Sequence, residues 1–111
     1  MVENFSLEDV GQRIINRRKK LGLTQEELAE RADLTIQFIS YAELGKRAMR
    51  PENLLKLSTA LEVSADYLLT GEITDKDLLL LSDKMQKLAP SQIRIIENIV
   101  DECLLLFPAD D

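Results

Sequence analysis

The chain has 111 residues, which is enough for one compact domain and a short appendage. Its 14 basic and 20 acidic residues give a formal net charge of -6, which excludes a uniformly basic protein that coats nucleic acid without regard to sequence. It has no histidine and a single cysteine, so it lacks the commonest general base and any internal disulfide or cysteine-rich metal site. The sequence therefore predicts neither an enzyme nor a protein with a cofactor or a metal.

The spacing of apolar residues predicts helices throughout, and no segment alternates apolar and polar residues as a strand would. Residues able to cap a helix N-terminus stand before four predicted helices, at Ser6, Thr24, Thr35 and Ser64. Glu27 follows Thr24 by three residues and completes a capping box, and Pro51 fits the first position of a further helix. Glycines that favour helix ends stand at Gly22, Gly45 and Gly71.

These signals divide the chain into two parts joined by a short connection. We expect residues 6–70 to form one five-helix domain and residues 71–74 to form a linker. Residues 75–107 are predicted to form a hairpin of two more helices that meet near Pro90. The predicted fold is therefore all-α, a five-helix domain followed by a C-terminal two-helix hairpin.

Charge follows the same division of the chain. Residues 13–50 hold 9 basic and 5 acidic residues, whereas residues 72–111 hold 4 basic and 9 acidic residues. This asymmetry predicts a focused anion-binding face in the first part and an acidic C-terminal module.

Two short predicted helices, at 24–32 and 35–44, are joined by a tight turn within the five-helix domain. This is the helix-turn-helix arrangement, whose second helix can lie in the major groove of DNA. At about 100° per residue, one side of that helix is apolar and the other side is largely polar. The side predicted to be buried carries Thr35, Phe38, Ile39 and Ala42, and the opposite side carries Gln37, Ser40, Tyr41 and Leu44, with Ile36 at its edge.

Several segments of the sequence resemble the lambda-repressor-like (Cro-type, Xre) DNA-binding domains. They are Leu21–Ala29, Ile39-Ser40, Glu43–Arg47, Leu54–Ser64 and Tyr67–Leu69. In this order and spacing the resemblance covers about residues 6–70. It implies a five-helix lambda-repressor-like fold, a DNA-binding function, and a recognition helix at 35–44.

Base contacts are expected from Ile36, Gln37, Ser40 and Tyr41 of that helix. The amide of Gln37 can read adenine bidentately, and Ile36 can touch a thymine methyl group. Ser40 and Tyr41 can bond either a base edge or a phosphate. The alternative is that all four are simply the solvated residues of an amphipathic helix.

Phosphate contacts are expected on both flanks of the recognition helix, at Gln25, Thr35, Lys46, Arg47 and Arg50. Free backbone N–H groups and the helix dipole attract anions where Gln25 begins its helix. The resemblance implies that this glutamine touches the DNA backbone and braces the recognition helix. The three cations that follow the recognition helix can neutralise phosphates.

Arg18 lies on the apolar stripe of the first helix, one turn after Ile14. A buried guanidinium needs a partner. Glu43 falls near the inner side of the recognition helix, and the resemblance implies that these two positions pair. We therefore expect a structural Arg18–Glu43 ion pair between the first and third helices.

The C-terminal hairpin carries more apolar residues than two helices can bury between them. A seam spaced for helix packing, expected to mediate dimerisation, contains Leu78, Leu81, Met85, Ile93, Ile96, Val100, Cys103 and Phe107. Cys103 is expected to be a small buried residue of this seam rather than a redox sensor. The seam can pack on the first domain, on a second copy of the chain, or on another protein. We favour a homodimer because a two-fold dimer doubles the contacts with a palindromic operator.

The sequence thus predicts a homodimeric repressor that binds a palindromic operator in double-stranded DNA. The alternatives are an antitoxin-type autoregulator and an interaction module that binds a protein partner rather than DNA. The sequence shows no export signal, and none of its apolar runs approaches the roughly 20 residues that a membrane span needs. These features predict a cytoplasmic protein that does not enter a membrane.

Overall fold

The computed structural model describes residues 5–107, which form helices and no strand. The helices in this range are α1 (Leu7–Lys20), α2 (Gln25–Ala32), α3 (Ile36–Glu43), α4 (Pro51–Leu61), α5 (Ala65–Thr70), α6 (Asp75–Met85) and α7 (Pro90–Leu106). The all-α fold and the order of helices predicted from the sequence are confirmed.

Local capping chemistry sets the helix starts. Each of the four predicted caps accepts, through its side-chain hydroxyl, a hydrogen bond of 3.0–3.2 Å from the backbone N–H three residues later. These caps are Ser6, Thr24, Thr35 and Ser64. The carboxylate of Glu27 accepts the backbone N–H of Thr24 at 2.9 Å, which completes the predicted capping box. These bonds satisfy N–H groups that a helix start leaves without an intrahelical acceptor.

The contacts divide the chain into a compact unit that ends at Leu80 and a second that begins at Leu81. In the first unit, α1 packs on α3, α4 and α5, and α2 packs on α3 and α4. The side chains fully buried there are Val10, Ile14, Leu28, Ile39, Leu57, Leu61 and Leu68. Full burial of such a side chain contributes about 1.5–3 kcal/mol, so these helices form one hydrophobic core.

A glycine in the middle of α1 permits a close approach to α3. A Cβ atom at Gly11 would lie 2.7 Å from the carbonyl oxygen of Ala42 and even closer to that of Glu43. Glycine inside a helix is less favourable than alanine by about 0.5–1 kcal/mol, so its presence here needs a structural reason. The contact between the two backbones supplies that reason.

The first unit includes residues 71–74, which the sequence predicts to be a linker, and it also includes the first turns of α6. Asp77 of α6 accepts hydrogen bonds from Ser64, which explains why this segment belongs to the unit. The assignment of residues 75–107 as a separate dimerisation hairpin stays a prediction.

The second unit contains the end of α6 and the whole of α7. No residue of α6 or α7 is buried. The exposed large apolar residues of this unit are Leu81, Ile93, Ile95, Ile99, Val100, Leu104, Leu105, Leu106 and Phe107. Cys103 is also exposed in the single chain, and no residue of α7 is buried there. Its expected burial within the seam stays a prediction.

Candidate nucleic-acid interface

The two sides of α3 differ sharply in exposure. Phe38, Ile39 and Ala42 are buried, whereas Ile36 is 46% exposed and Tyr41 is 38% exposed. On the same outer side, Gln37 and Leu44 are exposed and Ser40 is half-buried. The helical periodicity therefore separated the core side from the outer side correctly, apart from Thr35, which is exposed as the residue that caps the helix.

Two of the predicted base-reading side chains contact each other on this outer side. The amide Nε2 of Gln37 donates to the hydroxyl oxygen of Tyr41, one turn later, at 3.3 Å. This bond uses one of the two amide hydrogens, so the other hydrogen and the amide oxygen stay available to a base edge. While bonded to Tyr41, Gln37 can therefore still offer adenine the one donor and one acceptor that a bidentate contact requires.

A buried carboxylate holds α3 against α1 and α2. The side chain of Glu43 is 4% exposed and accepts from Arg18 twice, from Nε at 2.6 Å and from Nη2 at 3.1 Å. Its Oε1 also accepts from Nε2 of Gln25 at 2.9 Å. The expected Arg18–Glu43 pair is present, with the two-donor geometry that gives strong charge-assisted bonds. Gln25 braces the same carboxylate and still begins α2, where backbone N–H groups attract anions.

The remaining residues predicted to contact phosphate lie just before and after α3. Thr35 caps the helix, and its hydroxyl keeps a hydrogen to donate after accepting the N–H of Phe38. Lys46, Arg47 and Arg50 are exposed after the helix ends. The guanidinium of Arg47 lies 5.6 Å from the centre of the Phe38 ring, which keeps this charge beside α3.

Comparison with known proteins identifies the family to which this helix-turn-helix belongs. Residues 14–68 match the model of the helix-turn-helix family HTH_3. The HTH-type transcriptional regulator ImmR of Bacillus subtilis is 34% identical over 101 residues, which cover 91% of this chain and 76% of ImmR. The chain belongs to the Xre (lambda-repressor-like) family of helix-turn-helix transcriptional regulators.

Two further relatives of this helix-turn-helix regulator are proteins named as repressors. The cryptic phage CTXphi transcriptional repressor RstR of Vibrio cholerae is 29% identical over 86% of this chain and 88% of RstR. The c2 repressor of Salmonella phage P22, crystallised with a synthetic operator, matches 57% of this chain and 96% of the crystallised chain. That match has a TM-score of 0.55 and 43% sequence identity.

Several arginines of the regulator have roles that its sequence does not reveal. Arg13 donates to the carbonyl of Leu68 at 3.1 Å, and Arg17 donates to the carbonyl of Leu61 at 3.1 Å. Arg31 lies 3.7 Å from the carboxylate of Glu62, just after α4 ends. Helix C-termini leave carbonyl groups without partners and attract cations, so these arginines stabilise the packing of the domain. Arg17 belongs to the basic range 13–50, and its guanidinium is held by the carbonyl of Leu61.

Residues 5–107 hold no group of three or more cysteine or acidic side chains placed to bind a metal ion. Within that range, no helix combines the length and the apolar character needed to cross a membrane. The described residues place the largely polar outer side of α3 at the surface, hold the helix on its inner side through Glu43, and put cations just after its end.

Proposed function

We propose that this regulator binds a palindromic operator in double-stranded DNA as a homodimer and acts there as a repressor in the cytoplasm. Each protomer places the outer side of α3 in the major groove of one half-site. The observation that carries this proposal is the bracing of α3 by the buried Glu43 carboxylate, since a helix fixed from behind can present its outer side in one defined orientation. A B-DNA major groove, about 12 Å wide, admits such a helix.

Within this complex, Gln37 reads an adenine and Ile36 contacts a thymine methyl group. Ser40 and Tyr41 bond base edges or the nearest phosphate. The residues assigned to phosphate contacts are Gln25, Thr35, Lys46, Arg47 and Arg50. These contacts fix the position of the protein on the duplex, whereas the base contacts supply specificity.

The exposed apolar residues of α6 and α7 support dimerisation. Val100 is 50% exposed and Leu81 is 51% exposed, and both lie on the predicted seam. Burial of apolar surface stabilises association by about 25 cal/mol per Å² removed from water, so a second copy that covers this seam lowers the free energy. We assign the seam to the homodimer, with half-site centres about 34 Å apart or a multiple of that distance.

Selection of bound fragments from a random DNA library tests both halves of the proposal. We expect a palindromic sequence whose affinity falls with salt, with a slope of about -0.9 in log K against log salt for each phosphate neutralised. Failure to bind any fragment at low salt would overturn DNA binding. A selected site without two-fold symmetry would overturn the dimeric arrangement.

Sedimentation of two charge variants tests the seam directly. Val100→Asp places a carboxylate on the seam and is expected to convert the dimer to a monomer. Asn98→Asp adds the same charge to the opposite side of α7 and is expected to leave the dimer intact. Equal effects of the two changes would locate the interface elsewhere.

The alternative partner is a protein of basic character, since residues 72–111 hold 9 acidic and 4 basic residues. Under that alternative, the purified wild-type chain sediments as a monomer at micromolar concentration. The homodimer proposal expects it to sediment as a dimer.

A further inference from the structure

One carboxylate joins the segment before α5 to the segment before α6. Oδ1 of Asp77 accepts the backbone N–H of Ser64 at 2.8 Å, and Oδ2 accepts the Ser64 hydroxyl at 2.7 Å. The same Oδ2 accepts the backbone N–H of Thr74 at 2.9 Å and the Thr74 hydroxyl at 3.1 Å. We refer to Asp77, Ser64 and Thr74 as the Asp77 clasp.

The clasp is anchored in the packed part of the DNA-binding domain. Ser64 is 5% exposed, and its hydroxyl oxygen also accepts the backbone N–H of Tyr67 at 3.0 Å as the cap of α5. The hydroxyl therefore accepts from α5 and donates to Asp77 at the same time. Because Ser64 is held by the domain core, the clasp ties α6 to that core.

Capping of α6 does not by itself require this arrangement. The bond from the N–H of Thr74 to Asp77, three residues later, is the usual contact at a helix start. The two bonds from Ser64 are additional, and hydrogen bonds to a carboxylate are roughly twice as strong as neutral ones. They determine where α6 begins relative to α5.

Apolar packing at the start of α6 is slight, with Leu80 half-buried. No residue of α6 is buried, and Leu78 and Leu79 beside Asp77 are 57% and 65% exposed. A helix attached mainly by polar bonds at one end is free to change its direction once those bonds are lost.

We propose that Asp77 is a positioning residue that fixes the direction in which α6 leaves the DNA-binding domain, and thereby the operator half-site spacing that the homodimer accepts. This inference rests on the proposed dimeric binding of a palindrome. The 11 residues of α6 span about 16 Å, so a change of about 20° at its start moves its end by about 5 Å. Since successive base pairs are about 3.4 Å apart, that displacement corresponds to one or two base pairs of spacing.

The test measures binding to a series of operators in which the two half-sites are moved apart or together in steps of one base pair. Asp77→Asn keeps the size of the side chain but removes the charge that attracts four donors. Asp75→Asn makes the same charge change at an exposed acid in the same turn and serves as the matched control. Binding to a single half-site is measured alongside, because no clasp residue is assigned to a DNA contact.

We expect wild type and Asp75→Asn to prefer one spacing and to lose about tenfold or more in affinity when it changes by two base pairs. Asp77→Asn is expected to bind a single half-site as wild type does, but to vary less than about threefold over the same spacings. An unchanged spacing preference in Asp77→Asn overturns the positioning role and leaves the proposed function standing. A wild-type protein that binds no palindrome overturns both.

A milder variant keeps the test decisive if Asp77→Asn does not fold. Thr74→Val removes one of the four bonds and retains the backbone N–H. It is expected to widen the accepted spacing by an intermediate amount, and a spacing profile identical to that of wild type contradicts the proposal.

Discussion

Arg18 donates two hydrogen bonds to the carboxylate of Glu43, from Nε at 2.6 Å and from Nη2 at 3.1 Å, across the contact between α1 and α3. Gln25 donates to the same carboxylate from the start of α2. The helix that faces DNA in the proposed complex is therefore held at its last turn by side chains from both helices that precede it. Loss of these bonds affects the stability of the domain and the orientation of its recognition helix together.

Removal of Arg18 is expected to be strongly destabilising. Arg18→Ala leaves the buried Glu43 carboxylate without its cation, and breaking one side of a buried ion pair costs about 3–5 kcal/mol. Urea denaturation followed by circular dichroism measures the change. Replacement of both Arg18 and Glu43 by methionine is expected to cost less than Arg18→Ala, since no unpaired charge is left behind. Lys19→Ala, at an exposed position of the same helix, is the control, and a loss no larger than that of the control contradicts the assignment.

Replacement of Gln37 tests base reading by α3. Gln37→Ala is expected to weaken binding to the selected operator by about 1–3 kcal/mol and to relax the preference at one base step. Lys46→Ala is the contrasting variant, since loss of a phosphate contact weakens all sequences alike and lowers the salt slope by about 0.9. Unchanged affinity and specificity in Gln37→Ala would show that this side chain does not read bases.

The close approach of α1 and α3 makes Gly11 intolerant of a side chain. Gly11→Ala improves helix propensity by about 1 kcal/mol, but the added Cβ meets two backbone carbonyls that cannot move aside as a side chain would. We expect a net loss of about 1–3 kcal/mol in the free energy of unfolding, which denaturation measures. Gln12→Ala, at the next and exposed position, should stay within about 0.5 kcal/mol of wild type. A Gly11→Ala protein as stable as wild type would mean that the two helices can separate at little cost.

The Asp77 clasp predicts a particular dependence of stability on pH. Burial by itself raises the pKa of the Asp77 carboxyl, but hydrogen bonds from Thr74 and Ser64 outweigh it, so the pKa lies below its usual 3.8. A carboxyl with a lowered folded-state pKa contributes stability that is fully present well above pH 3.8 and is lost as the pH falls through the folded-state value.

Asp77→Asn is therefore expected to be less stable than wild type at pH 7, with a difference that shrinks as the pH falls below 3.8. Urea denaturation of both proteins at a series of pH values measures this difference. Asp75→Asn is the control for the loss of one negative charge. A wild-type advantage of the same size at every pH contradicts the role given to the ionised carboxyl.

Local features of this fold could be predicted from the sequence because their causes lie within a few residues. Thr24 and Glu27 form their capping box through contacts three residues apart, and the outer side of α3 follows from helical periodicity alone. The pairing of Arg18 with Glu43 could not be predicted from local spacing alone, since an arginine on an apolar stripe indicates that a partner exists but does not identify it. The resemblance to lambda-repressor-like domains supplied the partner.

Contacts with the backbone of distant segments could not be predicted in the same way. Arg13 and Arg17 donate to carbonyl groups, which every residue has, so no side chain marks the acceptor in the sequence. The close approach at Gly11 is of the same kind, because the backbone that meets it belongs to α3, more than 30 residues away in the sequence. For Asp77, the bond to Thr74 spans three residues, as capping contacts do, whereas the bonds to Ser64 depend on how the chain folds back.

The separation of the two sides of α3 has a consequence for how such regulators diversify. The buried apolar residues of α3 lie away from the outer side, where Ile36, Gln37 and Tyr41 of the helix and Leu44 just after it are exposed. Replacement of these four residues changes the surface that faces DNA in the proposed complex, while the hydrophobic core keeps its composition. A duplicated gene could therefore acquire a new target sequence by a few substitutions, without first having to regain a stable fold.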